Sequence, residues 1–407
     1  MKLFSQYKGL PRQAYYLSVI MLIVEIAICC IFPFLSLLCS RILGFTTVQT
    51  GYIVAFTSLG NIVGSLLGGK LSDEWGRRKT FIRLAVVMIC AMTAAGLICT
   101  RRAVVVLIFL CNAIASSVVP IISAMVIDIS PDEKRNESIS LVYIFSNIGS
   151  ATGPVIAGLL FYNHLPWTFF TMAICYSVAL AIMLIRTKET YAGNANLNGP
   201  DGGPEAESAD TPLFSMVTHS RVMLVFVICL FLIFVCYTFI SYLLPLQFSD
   251  AVGLERGSKL TSAIWTINGL IVIACTPLLM LFIKKHRPLI NLVIGCLLYV
   301  AGFLIYALPL SPAMALGAVV IWTCGEIFVN TEGTVLLAEL SPMTHRGRVV
   351  ALFQFSRGTG KLMGPVVCSY VLTSAGYSRV WMIAAAICLV VAGVLYRLYR
   401  LESVSAQ

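Results

Sequence analysis

Charge is scarce in this chain. Asp, Glu, Lys and Arg together make up 11% of its 407 residues, against about 25% in ordinary soluble domains, so the composition does not provide for a large water-facing surface. Metal and disulfide chemistry are missing too. The 14 cysteines show no CxxC spacing. They fall in or at the edges of apolar runs and read as small buried hydrophobes, which indicates neither disulfides nor zinc. His164, His219, His286 and His345 are scattered through linkers, and no metal site is assigned to them. The stretch SRGTGKL at 356–362 lacks the first glycine and the terminal Ser/Thr of a phosphate-binding loop. No catalytic constellation is present. The chain is read as no enzyme, with no cofactor and no ATP-driven step of its own.

What fills the sequence is apolar. Hydrophobic residues make up 59% and mean hydropathy is +0.92. A bilayer core of about 30 Å needs about 20 apolar residues per helical crossing. Such runs occur at 17–40, 48–70, 80–100, 103–126, 139–161, 165–185, 222–246, 258–282, 288–308, 313–336, 350–373 and 377–397. The spacing predicts an all-α membrane protein with twelve transmembrane helices and no soluble domain of useful size. The first run is too long for a cleavable signal, and no small-residue cleavage site follows it.

Basic residues set the expected topology. With the N-terminus in the cytoplasm, twenty Lys and Arg fall in inside segments and six in outside ones. Both termini are therefore expected to be cytoplasmic, in a multi-pass protein of the plasma or bacterial inner membrane. The net charge of +10 follows from this one-sided bias, so no nucleic-acid partner is inferred. The sequon Asn136-Glu137-Ser138 falls on the cytoplasmic side and is a chance match.

The chain also repeats itself. Residues 186–221 form the one long linker, rich in Gly, Pro, Asn and acids, and divide the helices into bundles at 1–185 and 222–407. SPDEKRNESISLVYIFSNIGSATGP at 130–154 aligns without gaps on SPMTHRGRVVALFQFSRGTGKLMGP at 341–365, a constant offset of 211. Pro33 and Pro245 match within one residue of that offset. Parallel six-helix repeats with a binding site between them are a recurrent transporter plan.

The densest charge lies in GGKLSDEWGRRK, residues 68–79. This stretch resembles the signature loop of the major facilitator superfamily, G-x-L-[SA]-D-[RK]-x-G-R-[RK], found there between helices 2 and 3. The resemblance covers almost the whole chain and implies the superfamily's fold of two pseudo-symmetric six-helix bundles. It implies a cytoplasmic latch of Gly69, Asp73, Gly76, Arg77, Arg78 and Asp128, with Asp73 docking at the start of helix 11 and Arg77 reaching Asp128. Helix dipoles favour a carboxylate at a helix N-terminus, glycine permits a turn and close approach, and Arg bridges carboxylates. Glu74 departs from the pattern, standing where the family has Arg or Lys. In the second half LFIKKHRPLI keeps positive charge but has Lys284 in place of Asp73, so the latch is expected to be asymmetric.

A second stretch, Gly149-Ser-Ala-Thr-Gly153-Pro154-Val-Ile-Ala-Gly158, resembles the helix 5 motif of drug:proton antiporters in the same superfamily, with Ala157 replacing one glycine. Its small residues also suit plain helix packing. Those exporters often carry an Arg in mid-helix 4. Here Asn112 is the nearest polar residue, and it is a cavity candidate.

Ionisable residues at bilayer depth are costly and are functional candidates by default. Five qualify: Glu25, Glu326, Glu332, Arg357 and Lys361. Counted at 1.5 Å per residue, Glu326 and Lys361 come out near mid-depth, and Glu332 and Arg357 in the cytoplasmic third. Two layered ion pairs are expected, serving either packing or binding. Glu25 is left over as a solitary carboxyl among Val24, Ile26, Ala27 and Ile28. Burial penalises the charged form of a carboxyl, a property a proton carrier uses, and snorkelling to the cytoplasmic interface is the alternative. Arg357 and Lys361 align with Ser146 and Ser150, which marks these as cavity positions. Tyr237, Tyr242, Trp265, Asn268, Trp322 and Asn330 line the cavity or pack. The expectation is a monomeric secondary carrier in the bilayer that exports a small amphipathic, multidrug-like compound against protons, the proton gradient supplying the energy. An importer or facilitator of a small polar or anionic solute and a non-transporting sensor are the alternatives.

Overall fold

The computed structural model describes residues 7–191, 221–309, 311–339 and 346–405. Most of the expected linker, together with Ser341 and Pro342 at the start of the second repeat segment, lies outside these. The described chain is helical throughout its ordered elements, with no strand among the described residues. A helix satisfies its backbone groups internally, which the bilayer core requires of lipid-facing structure. Among the described residues, eleven helical stretches are long and apolar enough to cross a membrane.

In chain order they are α1 (Arg12–Cys29), α2 (Thr47–Trp75), α3 (Arg77–Leu97), α4 (Val104–Ile129), α5 (Arg135–Leu160), α6 (Leu165–Arg186), α7 (Arg221–Val252), α8 (Leu254–Ile283), α9 (Pro288–Ala307), α10 (Pro312–Glu339) and α11 (Arg346–Ser405). The expected first run of 17–40 is not one regular helix. Pro33 has no N–H to continue the ladder. The chain passes through a 3-10 turn at Phe32–Phe34 and a wider π turn at Leu38–Ile42.

The difference between eleven and the expected twelve lies in α11. Its 60 residues would extend about 90 Å as one rod, about three times a bilayer core. Gly376, with φ 77°, adopts the left-handed conformation that glycine tolerates and divides α11 into two arms. The arms contain the runs expected at 350–373 and 377–397. Gly76, with φ 89°, makes the corresponding break between α2 and α3.

Two compact units form. One comprises Met1–Gly44, Phe56–Glu205 and Val252–Gly269, the other Phe45–Ala55, Ala206–Ala251 and Leu270–Gln407. In the first, α1 packs on α5 and α6, and α3 packs on α4 and α6. Phe34 stacks on Phe161 with ring centroids 5.1 Å apart. In the second, α9 packs on α10 and α11, and the buried aromatics have their polar ends paired. Trp381 Nε1 donates to Gln247 Oε1 at 2.7 Å, Gln247 Nε2 donates to the Tyr306 carbonyl at 3.1 Å, and Trp322 Nε1 donates to the Tyr306 hydroxyl at 3.0 Å. Pairing of this kind is what buried Trp and Tyr require. Large apolar side chains such as Leu97 and Ile185 stand outward, 76% and 74% exposed, a surface suited to lipid.

Candidate functional site

In the first unit the site is built around Glu25. The helix begins at Arg12, so Glu25 lies about 20 Å along α1, deeper than a start at residue 17 implies. Two glycines of the helix 5 motif face this turn. A methyl group on Gly149 would come within 2.5 Å of the Leu22 carbonyl oxygen and 2.7 Å of Glu25 Cβ; one on Gly153 would come within 2.6 Å of Cys29 Cβ. The motif therefore brings the backbone of α5 onto the turn of α1 that carries the acid, the close approach small residues permit. The expectation of a solitary Glu25 does not hold, because the Ser150 hydroxyl donates to Glu25 Oε2 at 3.4 Å. A neighbouring helix supplies the partner, so the residues flanking Glu25 in sequence could not reveal it. Ser146, one turn earlier, bonds back to the Tyr143 carbonyl of its own helix. Further along α5, the Pro154 carbonyl accepts from Ser262, which also abuts Gly158.

In the second unit an acid with a hydroxyl donor from another helix is Glu326 on α10. Tyr237 on α7 donates its hydroxyl to Glu326 Oε1 at 2.9 Å. The Tyr237 ring meets Trp322 at 6.2 Å and Tyr299 at 6.3 Å, edge to face, an arrangement aromatic pairs favour. Arg357 lies within electrostatic reach of Tyr237. Glu332 is buried, while Arg357 and Lys361 are half-buried.

The remaining cavity candidates divide. Trp322 is fully buried and serves as scaffold. Tyr242 is also buried, its hydroxyl donating to the Thr47 carbonyl at 2.6 Å. Asn112 donates from α4 to the Thr57 carbonyl of α2 at 2.5 Å. Trp265 and Asn268 lie on the segment of α8 that belongs to the first unit, half-buried and buried respectively. The buried Oδ1 of Asn330 has no hydrogen-bond partner among the described residues.

At the signature loop, Arg77 forms an ion pair with Asp128, and Glu74 pairs with Lys70 at 3.8 Å on the surface. Asp73 is exposed, and the side chains at the start of α11 lie outside the described ones. Gly69 does not mark a close approach, since a methyl group there would meet nothing within 4 Å. Close contact on α2 occurs instead at Gly68 and Gly64, where the Ser117 hydroxyl donates to the Gly64 carbonyl at 2.7 Å.

Sequence reading missed Glu189. This residue, three beyond the end of α6, places Oε1 3.1 Å from the Arg78 N–H and Oε2 3.2 Å from the Lys79 N–H. Burial alone would raise its pKa. Backbone donation from Arg78, Lys79, Tyr191 and Thr190 outweighs that and holds the carboxyl below its ordinary range. The unsatisfied N–H groups and dipole at the start of α3 explain the attraction. Arg78 is fixed in addition by the Met183 and Leu184 carbonyls, at 3.4 and 3.0 Å.

The profile of the Major Facilitator Superfamily matches residues 17–365. The chain belongs to this superfamily. Among its relatives, a Na(+), Li(+), K(+)/H(+) antiporter of Planococcus maritimus is 21% identical, over 83% of this chain and 84% of the relative. Multidrug resistance protein MdtG of Proteus mirabilis (strain HI4320) is 23% identical, over 83% of this chain and 82% of the relative. The crystal structure of a POT family transporter in complex with a thioalcohol conjugated peptide superposes with a TM-score of 0.81 at 14% identity, covering 97% of each chain. That likeness shows the fold. This member of the Major Facilitator Superfamily is thus a multi-pass membrane transporter. Two of its three intramembrane acids each accept a hydroxyl donor from another helix: Ser150 on Glu25 and Tyr237 on Glu326.

Proposed function

We propose that this transporter exports a small amphipathic compound in exchange for protons, by alternating access of two six-helix bundles, 1–185 and 222–407, joined by the linker at 186–221. It works as a monomer in the plasma or bacterial inner membrane with both termini in the cytoplasm. Glu25 loads and releases the proton, and Glu326, Glu332, Arg357 and Lys361 contribute to substrate binding. The observation that carries the reading is the seating of Glu25: a carboxyl well along α1, held against the glycine face of α5, where the Ser150 hydroxyl donates to it. Substrate or proton binding at that turn would be felt directly by both helices. The names of two relatives, an antiporter that exchanges alkali cations for protons and a multidrug resistance protein, support exchange and export respectively.

Reconstitution into proteoliposomes with an imposed pH gradient tests this. Lipophilic dyes are expected to move opposite to the proton gradient and to reverse when the gradient is reversed. Movement with the protons would make the chain an importer. Absence of flux for every dye and polar solute tried would favour a sensor.

A further inference from the structure

Tyr176 on α6 is fully buried, and its hydroxyl has no hydrogen-bond partner among the described residues. Leaving such a group unpaired is costly, and a phenylalanine would fill the same space without that cost. α6 packs directly against α1, and the Tyr176 hydroxyl lies within electrostatic reach of Glu25, with Cys111 of α4 and its own neighbour Cys175 as the other titratable groups around it. From α5 the group described facing Glu25 is the Ser150 hydroxyl. The second unit shows the same two residue types already joined, Tyr237 donating to Glu326. We propose that Tyr176 is a positioning residue for the proton step, its hydroxyl donating to the Glu25 carboxylate once the proton has left.

This inference rests on the reading of Glu25 as the proton carrier. It assigns the unpaired hydroxyl to one state of the cycle: idle while Glu25 holds its proton, engaged when Glu25 is charged. The Tyr176 proton is donated in a hydrogen bond and stays on its oxygen, so the step moves no net charge beyond the proton Glu25 releases.

The test is carbodiimide labelling of the full-length transporter in liposomes, because a hydrophobic carbodiimide reacts with protonated carboxyls at bilayer depth. Label at Glu25 is read by mass spectrometry across about pH 5 to 9. In the wild type it is expected to fall as pH rises. In Tyr176→Phe the midpoint is expected to move to higher pH by about one unit, a tenfold change in the protonation equilibrium, because a donor to the charged form has been lost. Thermal stability of that variant is expected to be unchanged or higher, and Tyr237→Phe should leave the Glu25 profile where it is. An unshifted midpoint in a folded Tyr176→Phe protein overturns the inference and leaves the proton reading standing. Wild-type labelling of Glu25 that is absent or independent of pH overturns both.

Discussion

The two halves treat the same position differently. At the offset of 212 that relates Pro33 to Pro245, Glu25 corresponds to Tyr237. The packing agrees: Gly149 and Gly153 of α5 abut Leu22, Ile26 and Cys29 on α1, and Gly360 and Gly364 of α11 abut Phe234, Val235 and Thr238 on α7. One half thus puts an acid on its first helix and the other a tyrosine that donates to an acid two helices before the end of the repeat. A repeated backbone contact has been kept while the chemistry carried on it diverged. The loops diverge likewise. Thr80 and Asn291, 211 apart, both donate to a carbonyl near the end of the preceding helix, Leu71 at 3.0 Å and Ile283 at 2.9 Å. Only the first loop carries Asp73, and Glu189 caps the helix that follows it.

The largest expected effect separates the two acids. A pH gradient of one unit corresponds to a concentration ratio of about tenfold per coupled proton. The wild type should accumulate dye toward that limit, Glu25→Gln should not respond to the gradient, and Glu326→Gln should keep the response with an altered KM. A Glu326→Gln protein that loses coupling as completely as Glu25→Gln would erase the asymmetry. Next, Asp73→Asn should slow dye efflux far more than Lys284→Gln. Equal effects would reduce the loop to a topology signal.

The glycine contact comes third. Gly149→Ala pushes a methyl group into α1 backbone and should cost about 1–3 kcal/mol, seen as a lowered unfolding temperature in detergent. Gly317→Ala on α10, where a methyl group would meet nothing within 4 Å, should instead stabilise by up to about 1 kcal/mol. Glu189→Gln should cost about 1 kcal/mol, the size of a lost helix cap. Because the folded carboxyl is held below its ordinary range, its stabilisation is complete above the unfolded pKa of about 4.3 and is lost as pH falls through the folded value. Protection factors at Arg78 and Lys79, with the intrinsic pH dependence of amide exchange divided out, should therefore fall in acid in the wild type and show less pH dependence in the variant. The smallest effect belongs to Lys70 and Glu74, an exposed i,i+4 pair whose removal should change stability by about 0.5 kcal/mol or less.

Hydropathy alone located the helical runs, because an apolar stretch of bilayer length has few other folds open to it. It places the break between the last two runs where Gly376 turns the chain, but it could not anticipate that Pro33 would split the first run. Arg77 and Asp128 could be paired on paper because a signature links them. Glu189 could not: it opens a segment whose composition reads as linker, and its partners are backbone N–H groups with no side-chain code. Tyr237 reads from the sequence as a cavity candidate, yet its bond to Glu326 joins residues 89 apart on different helices, beyond what helical periodicity relates. The repeat marks Ser150, and its bond to Glu25 depends on the packing of α1 on α5.

Glu25 is proposed to couple substrate movement to protons. Its most direct test compares dye counterflow without a gradient and dye accumulation with one, in proteoliposomes of wild type and Glu25→Gln. The account predicts that counterflow survives in Glu25→Gln while gradient-driven accumulation disappears. Full accumulation by Glu25→Gln would contradict it.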